Sequence, residues 1–402
     1  MNFFFIWATL LLLLFSPNQV FGEKMIKIEF NVQVPKDTDK NKGVFLAGNH
    51  EKLGSWKPDG VRLFQEKDKS WHFNLEVPIN TPLSFKITQG DWKSVEKNSK
   101  GLDIKDRRLT AIQDSTIDVI VEKWGGGPVP STLTGDIRFH KKFYSSNLKN
   151  ERTIIVYLPP DYEKQRKMRC PVFYMHDGQN IFDASTCSSG FEWQADETAE
   201  RLIKSGRLPP MIIVGIYNNE DRVDEYLPIR DKERQKGGKA SKYAKFVVEE
   251  VKPFIDKTYR TLPGKETTGI CGSSFGGLVS LYICSKYPQV FSMCGIVSPG
   301  LWVGNAWILK QVKKTGEWLK GVRFWLDMGS QEGDDISEFN EGIQNTRDLE
   351  KIFLEKGLLP GRDYYYLEVA GGRHHESDWA ERFDKILLYF FGNFAENQKS
   401  LK

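Results

Sequence analysis

The residues that suggest chemistry begin with a serine set between glycines. Residues 272–276 follow a Gly-x-Ser-x-Gly pattern centred on Ser274. Such a serine is a nucleophile when it lies on a sharp strand-to-helix turn, where larger neighbouring side chains would clash. Residues 266–271 are typical of a short strand, and residues 277–284 of an apolar helix. The pattern therefore predicts a nucleophile at Ser274, and the alternative is an ordinary tight turn.

A serine nucleophile needs a general base, which is usually a histidine. Of the six histidines, only His374 and His375 follow Ser274 in the chain. They come after residues 364–369, which are typical of a strand, and open α/β sheets place functional groups at the carboxyl ends of their strands. The order serine, acid, histidine is that of α/β-hydrolases. A solvated or adventitiously metal-binding histidine pair is the alternative.

The acid that orients this base should lie between the serine and the histidines. An acidic loop, residues 329–335, follows a segment that is typical of a strand. We predict Glu332 as the acid because it is the first carboxylate after the Gly-Ser turn, with Asp334 and Asp335 as alternatives. Asp327 lies within the strand and is interpreted as structural. A solvated acidic turn is the alternative for the whole loop.

Acyl transfer also requires amide donors for the developing oxyanion. Residues 171–176 are typical of a buried strand, and an Asp-Gly turn follows at residues 177–178. Because Gly178 lets the backbone turn towards the substrate, the amides of Gln179 and Phe275 are the predicted donors. The alternative is a plain Asp-Gly turn.

Two further loops are predicted to line the substrate cleft. Trp302 lies in the loop after the strand-like residues that follow the nucleophile helix. Asn218 and Arg222 follow another predicted strand. Arg222 either contacts an anionic or phenolic substrate or forms an ion pair with Glu225 or Asp224.

Together these motifs resemble the secreted "putative esterase" family of α/β-hydrolases over about residues 131–395. That family includes siderophore esterases of the enterobactin type, feruloyl and acetylxylan esterases, and esterase-D-like enzymes. Its pattern has a tryptophan five positions after the histidine, which selects His374 because of Trp379, and an acid at the third position after the Gly-Ser turn, which selects Glu332. The resemblance rests on residues 156–162, 174–180, 214–218, 222–226, 272–277 and 374–379. It implies a mostly parallel central sheet and a Ser-His-Glu triad that requires no metal or organic cofactor.

The amino-terminal part has a different pattern. Residues 23–124 contain short segments of alternating polar and apolar residues without a helical period, which favours an all-β sandwich. Residues 125–131 are rich in glycine and proline and are predicted to be a linker. The predicted fold is therefore multi-domain: an amino-terminal all-β sandwich, and a carboxyl-terminal α/β-hydrolase fold over residues 132–396.

The predicted sandwich resembles a starch-binding, family-20-type carbohydrate-binding module. The resemblance rests on residues 48–56 and 85–107 and on Trp71 between them. Aromatic rings can stack on the apolar face of a sugar, and Trp92 lies in a polar loop, so it is the predicted sugar-stacking residue.

Other parts of the module point less directly to sugar binding. Trp56 and Trp71 are interpreted as core residues, because tryptophan is mostly buried. An Asn-Arg pair of the starch-binding pocket is represented here only by Asp106-Arg107. A structural spacer is therefore the alternative role for this domain.

Composition and the amino terminus bear on location and partners. Residues 1–22 are predicted to be a signal peptide for a secreted or periplasmic protein, and an uncleaved anchor is the alternative. The net charge of +4, from 57 basic and 53 acidic residues, is too balanced to indicate a nucleic-acid partner. Five cysteines do not make a disulfide scaffold, and only Cys170 and Cys187 are considered as a pair. No Cys/His spacing suggests zinc, and no stable membrane partner is expected.

The sequence thus predicts a secreted serine carboxylic-ester hydrolase that acts on an ester-decorated glycan or an aromatic ester. Its expected partners are a small-molecule or glycan ester and a polysaccharide bound by the amino-terminal module. One alternative is a siderophore-lactone esterase. The other is a carbohydrate-binding protein with a silent hydrolase domain, against which the intact serine, acid and histidine positions argue.

Overall fold

The computed structural model describes residues 24–392, except residues 40, 68, 128, 188, 233 and 333–335 and the side chains of residues 336–339. The predicted signal peptide, residues 1–22, lies outside the described residues. Within the described part of the chain, no helix is long and apolar enough to cross a membrane. The chain divides into two compact units, and the division falls after Gly127.

The amino-terminal unit consists of short strands joined by turns. Single 3₁₀ turns lie at Glu51–Leu53 and Trp92–Ser94. The strands are β1 (Met25–Gln33), β2 (Phe45–Gly48), β3 (Val61–Arg62), β4 (Phe64–Gln65), β5 (Trp71–Pro78), β6 (Thr81–Thr88), β7 (Glu96–Lys97), β8 (Arg107–Ala111), β9 (Ser115–Ile120) and β10 (Lys123–Trp124).

Two four-stranded sheets form the predicted sandwich. One sheet has the order β4-β5-β1-β9 and the other the order β3-β2-β6-β8, while β7 and β10 form a separate pair. In β1, alternate residues are buried, as expected for a strand with one face on a core. Phe30 of β1 meets Phe85 of β6 edge to face, with ring centroids 5.0 Å apart, so the two sheets pack through their inner faces.

The two tryptophans that we interpreted as core residues differ. Trp71 packs against the sandwich core, as predicted. The prediction for Trp56 was wrong, because 37% of this residue is exposed. Trp56 lies in the turn between β2 and β3, where its φ of 58° is left-handed, so its side chain does not follow the alternation of a strand.

The carboxyl-terminal unit alternates strands and helices. Its 3₁₀ turns lie at Gly178–Asn180, Lys265–Thr267 and Gly316–Leu319, and its π-helical turns at Phe246–Val251 and Leu388–Gly392. The strands are β11 (Asp136–Ser145), β12 (Asn150–Leu158), β13 (Val172–His176), β14 (Ile212–Ile216), β15 (Arg230–Asp231), β16 (Lys236–Gly237), β17 (Thr268–Ser274), β18 (Met293–Pro299), β19 (Arg323–Gln331) and β20 (Tyr364–Arg373). The α-helices are α1 (Ala195–Lys204), α2 (Arg222–Tyr226), α3 (Ala240–Lys245), α4 (Lys252–Thr258), α5 (Phe275–Lys286), α6 (Val303–Thr315), α7 (Ile336–Glu355) and α8 (Glu376–Leu387).

An eight-stranded, mostly parallel sheet forms the centre of this unit. Its order is β11-β12-β14-β13-β17-β18-β19-β20. The pairs β11–β12 and β12–β14 are antiparallel, and every later neighbour is parallel. Strands β13 and β14 are buried throughout and consist mainly of apolar residues, which is typical of a parallel sheet covered on both faces. One apolar cluster includes residues of α5, and a separate cluster includes residues of α1 and α8. The predicted α/β-hydrolase fold is confirmed.

Two strands near the predicted catalytic loops are longer than their sequence patterns indicated. We expected strands that end at residues 328 and 369, but β19 continues to Gln331 and β20 to Arg373. The reason is that the two strands remain paired in parallel, up to the pair Gln331 and Arg373. The predicted acid and base therefore follow directly after paired strands.

Both ends of the predicted linker are bound to a neighbouring segment. The amide of Gly125 donates to the carbonyl of Val95 at 2.8 Å, within the amino-terminal unit. Ser131 and Thr132 bind the carboxylate of Asp183, within the carboxyl-terminal unit. The linker boundaries, residues 125–131, stay a prediction.

The cysteine pair that we considered is not a disulfide. Cys170 and Cys187 are both buried, and both are free thiols. Burial raises the pKa of the Cys170 thiol to about 12 and that of Cys187 to about 11. Both side chains are therefore protonated at neutral pH.

Candidate active site

Ser274 lies where β17 ends and α5 begins. Its φ of 59° and ψ of −126° are rarely adopted by a residue with a side chain, so the turn is strained. A Cβ on Gly272 would lie 2.8 Å from the carbonyl carbon of Gly276. The two glycines thus let the strand and the helix approach closely at the serine. Phe275 is the first residue of α5, so its amide has no partner within that helix.

The predicted second oxyanion donor, Gln179, lies in the turn after β13. A Cβ on Gly178 would lie 2.6 Å from the carbonyl carbon of Gly215 in β14, which is why glycine is needed there. The side-chain oxygen of Gln179 accepts from the amide of Asn218 at 3.2 Å. Its carbonyl accepts from the hydroxyl of Thr186 at 2.6 Å. Two hydrogen bonds, one to the side chain and one to the carbonyl, therefore hold Gln179 in place.

Asp177 connects the same turn to Asn218 and Arg222. The guanidinium of Arg222 forms two hydrogen bonds of 2.8 Å with the two oxygens of Asp177. Asn218 donates to Oδ1 of Asp177 at 2.6 Å. Burial raises the pKa of Asp177, but the charge and hydrogen bonds of Arg222 outweigh it and hold that pKa below its ordinary value. Asp177 is therefore an ionised, buried partner of Arg222.

The ion-pair partners that we considered for Arg222 were wrong. Glu225 pairs with Arg152 at 2.8 Å, and Asp224 pairs with Lys239 at 3.3 Å. Both positions are close to Arg222 in sequence, whereas its actual partner, Asp177, is 45 residues away. The two predicted substrate contacts, Asn218 and Arg222, thus both bind Asp177.

The predicted base and acid lie in contact. Nδ1 of His374 is 2.9 Å from Oε2 of Glu332. Because a carboxylate oxygen accepts hydrogen bonds, Nδ1–H is the donor in this contact, and Nε2 is the ring nitrogen that the contact leaves available. The ring of His374 packs edge-on against Trp379, at 5.1 Å between centroids and an angle of 88°. The alternative acids, Asp334 and Asp335, lie outside the described residues.

Ser298, which was not singled out from the sequence, supports this pair. Its hydroxyl donates to Oε1 of Glu332 at 2.6 Å. It accepts from Nε1 of Trp379 and from the guanidinium of Arg382, both at 2.9 Å. The hydroxyl therefore uses its one donor and both acceptor positions. In the sequence, its place at the end of the strand-like run that follows α5 is the signal that would have singled it out.

Arg382 and Asp327 complete the buried network. Arg382 donates to Oδ1 of Asp327 at 2.8 Å and lies 4.0 Å from Oε1 of Glu332. Asp327 also accepts from Nε1 of Trp325 at 2.5 Å. The interpretation of Asp327 as structural is confirmed by these contacts.

His375 has a different position from His374. It precedes α8, and its Nδ1 accepts from the amide of Ser377 at 3.2 Å and lies 2.9 Å from the Ser377 hydroxyl. Its ring packs edge-on against Phe191, with centroids 5.0 Å apart. The second histidine therefore caps a helix.

Aromatic and basic side chains surround the residue after the serine. Trp302 is partly buried, and its ring lies 6.4 Å from that of Phe275. The guanidinium groups of Arg222 and Arg234 each lie 5.7 Å from the centroid of the Phe275 ring. Arg234, on the short segment after β15, was not singled out from the sequence.

Residues 145–390 match the family described as "Putative esterase". The chain belongs to this family. It is therefore a carboxylic ester hydrolase of the family's serine type. Residues 25–114 match the family described as "Starch binding domain". The resemblances stated from the sequence are both confirmed.

Individual relatives cover different parts of the chain. This chain is 26% identical over 257 residues to the uncharacterized protein YbbA of Bacillus subtilis. The aligned residues make up 62% of this chain and 96% of YbbA. The chain is 28% identical over 168 residues to an endo-1,4-beta-xylanase/feruloyl esterase of Xylanibacter ruminicola. The aligned residues make up 40% of this chain and 21% of that protein. The fold is similar to that of the enterobactin esterase of Shigella flexneri, with a TM-score of 0.57, 16% identity, and coverage of 92% of this chain and 95% of that one.

The pair formed by buried Asp177 and half-buried Arg222 leads to a prediction about stability. Replacing Arg222 by methionine (Arg222→Met) leaves a buried carboxylate without its counter-charge, so we expect the free energy of unfolding to fall by about 3 kcal/mol. The measurement is urea unfolding followed by the circular dichroism of the helices, because the described α-helices all belong to the carboxyl-terminal unit.

The matched control is the double variant Asp177→Asn with Arg222→Met. It removes the unpaired charge, so it should recover part of the lost stability. A loss below about 1 kcal/mol in Arg222→Met, or no recovery in the double variant, would contradict the role of a buried ion pair.

Proposed function

We propose that this chain is a secreted serine esterase that acts through Ser274, His374 and Glu332. Ser274 Oγ attacks the carbonyl carbon of the ester, and Nε2 of His374 takes its proton. His374 then gives that proton to the leaving alkoxide, and the acyl group remains on Ser274. Water, activated by the same nitrogen, hydrolyses the acyl-enzyme and restores the serine.

The observation that carries this proposal is the 2.9 Å contact between Nδ1 of His374 and Glu332. It fixes the ring with its unprotonated nitrogen on the side away from the carboxylate. The strained turn at Ser274 supports the same reading, since residues in such conformations are concentrated at active sites. The amides of Gln179 and Phe275 are the proposed oxyanion donors.

Asn218 and Arg222 have a positioning role in this proposal. Both bind Asp177, which precedes the glycine of the proposed oxyanion turn. Their contribution to transition-state stabilisation is therefore exerted through the backbone near Gln179. Trp302 and Arg234, which both lie near Phe275, are left as the proposed contacts of the acyl group.

The proposed substrate is an aromatic or glycan-linked ester. Aromatic and guanidinium groups near Phe275 suit an aromatic acyl group, since both kinds of group stack on aromatic rings. The starch binding domain match supports a polysaccharide partner for the amino-terminal unit. The xylanase/feruloyl esterase relative supports an aromatic ester on a glycan. Secretion, from the predicted signal peptide, is part of the same proposal.

A siderophore lactone is the second candidate substrate. The fold likeness to the enterobactin esterase extends over 92% of this chain. The guanidinium of Arg234 near Phe275 would also suit an anionic catecholate. The two candidates differ in the alcohol that leaves, a sugar hydroxyl in one and a lactone serine in the other.

The first prediction of this proposal concerns the nucleophile. Ser274→Ala should lower kcat by about 10⁴-fold or more, because no other group can form the acyl-enzyme. The assay is turnover of aryl, feruloyl, acetyl-sugar and catecholate-lactone esters by the purified protein. The ester that the unaltered protein hydrolyses with the highest kcat/KM identifies the substrate class.

The matched control is Ser273→Ala, which removes the neighbouring hydroxyl and should retain most of the activity. If Ser273→Ala is the inactive variant, the proposed nucleophile is wrong. If the unaltered protein hydrolyses none of the four esters, the silent-hydrolase alternative is favoured.

A second prediction separates the two histidines and tests the acid. His374→Ala should reduce kcat as strongly as Ser274→Ala. Glu332→Gln should reduce it less, by up to about 10⁴-fold, because the base remains but loses its orienting charge. His375→Ala should leave kcat nearly unchanged and cost about 1 kcal/mol of stability, because it removes a helix cap. Full activity in Glu332→Gln would exclude Glu332 as the acid.

A third prediction concerns the amino-terminal unit. Trp92 is 45% exposed, at the start of a 3₁₀ turn that Asp91 caps. Trp92→Ala should weaken binding to starch or xylan and lower hydrolysis of polymeric esters, because stacking on a sugar needs the ring. A truncated chain that begins at Ser131 should lose the same polymer activity and keep its kcat on small aryl esters.

Phe64 provides the matched control for this prediction. It is 72% exposed on β4, so Phe64→Ala removes a surface aromatic outside the proposed sugar contact and should leave binding unchanged. The measurement is a pull-down on starch, xylan and cellulose. Binding to none of them, with polymer activity unaffected by truncation, would make the unit a spacer and favour the siderophore lactone.

A further inference from the structure

Three carboxylates that are not among the residues proposed for catalysis lie together at the beginning of α1. Glu192 comes shortly before the helix, and Asp196 and Glu197 lie in its first turn. Each contributes an oxygen that lies within 4.8 Å of the oxygens of the other two. Glu192 is 5% exposed and Asp196 is fully buried. A helix amino terminus favours carboxylates in its first turn, but it does not account for the third carboxylate, Glu192.

One oxygen of each carboxylate has no partner among the described residues. These are Oε2 of Glu192, Oδ1 of Asp196 and Oε2 of Glu197, and all three atoms are buried. The other oxygens of the two most buried groups are occupied. Oε1 of Glu192 accepts from the Thr132 hydroxyl, and Oδ2 of Asp196 accepts from the Thr134 amide at 2.6 Å. The groups are thus held in place, while no N–H or O–H donor of another described residue reaches these three oxygens.

The electrostatics of the cluster are unfavourable without a counter-charge. Glu192 and Asp196 are both buried, and an oxygen of Glu197 lies within 4.8 Å of an oxygen of each. A buried charge without a partner costs free energy, so either protons or a cation must neutralise the group.

The geometry and the donor set suit a hard divalent cation. Ca²⁺ binds oxygen ligands at about 2.3–2.6 Å, so oxygens up to 4.8 Å apart can coordinate one ion. Carboxylate oxygens without histidine or cysteine favour Ca²⁺ or Mg²⁺ over zinc and copper. We propose that Glu192, Asp196 and Glu197 form a Ca²⁺ site in the carboxyl-terminal unit. The Cys/His spacing of the sequence could not predict this site, because its ligands are all carboxylates.

The segment that a bound ion would hold packs close to the proposed base. Trp193, next to Glu192, lies 5.6 Å from Trp379 between ring centroids, and Trp379 contacts His374. Thr132 and Thr134, at the start of the unit, bind the same carboxylates. The ion would link the start of the unit to α1 and, through Trp193, to Trp379, which packs against His374. Its expected effect is on stability, since none of its ligands contacts the three triad residues.

The test uses the purified full chain, freed of metal with a chelator and then returned to chelator-free buffer. Tb³⁺ replaces Ca²⁺ at oxygen sites, and Trp193 is placed to sensitise its luminescence. We expect a saturable Tb³⁺ signal that Ca²⁺ displaces and Mg²⁺ displaces less well. We also expect Tm to rise by several degrees in Ca²⁺, because a ligand that binds only the folded state stabilises it.

Three variants and one control make the assignment specific. Glu192→Gln, Asp196→Asn and Glu197→Gln should each weaken binding of Ca²⁺ and Tb³⁺ by at least about tenfold. Without metal, Glu197→Gln should unfold at no lower temperature than the unaltered protein, because it relieves repulsion. Glu200→Gln, on the same helix, should bind normally, since Glu200 pairs with Tyr157 and Lys204.

The opposite results would overturn the site. If the unaltered protein gives no saturable Tb³⁺ signal and has the same Tm in Ca²⁺ and in chelator, the carboxyl groups share protons and bind no ion. Equal loss of binding in Glu200→Gln would also reject these three ligands. Activity on esters is not needed for any of these measurements, so the result is independent of the proposed function.

Discussion

The position of the proposed base depends on one buried carboxylate, Glu332. Burying an ionised carboxylate is costly unless its oxygens are paired. Here Oε1 accepts from the Gly329 amide at 2.5 Å and from the Ser298 hydroxyl at 2.6 Å, and Oε2 binds His374. Three donors from three different strand ends thus share one acceptor group. The ends of β18, β19 and β20 must therefore come together before all three donors can reach this carboxylate.

A second ion pair, formed by Arg382 and Asp327, lies next to Glu332. Arg382 pairs with Asp327 at 2.8 Å and lies 4.0 Å from Glu332. One guanidinium thus faces two carboxylates, which leaves a net negative charge beside the proposed base and would suit its conversion to an imidazolium. Arg382 also donates to the Ser298 hydroxyl, which fixes the direction in which that hydroxyl donates. The orientation of His374 therefore depends on its direct contact with Glu332 and also on groups that it does not itself contact.

The sequence predicted the parts of this arrangement that have a local signal. The glycines around Ser274, the buried runs of β13 and β14, and the His374–Trp379 spacing each depend on a few consecutive residues. The roles of Ser298 and Asp177 depend on partners that are far away in the chain, at separations of 34 to 84 residues. A single sequence carries no measure of such pairings. For the same reason Arg222 was assigned nearby acids, and Trp56 was assigned to a core that its turn does not face.

An ion pair lies on each side of the strand that ends at Ser274. On one side, Asp177 follows β13 and is held by Arg222; on the other, Asp327 lies in β19, beyond β18, and is held by Arg382. The first pair lies at the turn that contains Gln179, and the second lies beside Glu332. Because breaking a buried ion pair leaves an uncompensated charge, each pair restrains the segment that carries it. The proposed oxyanion turn and the proposed acid and base are thus each supported by one ion pair.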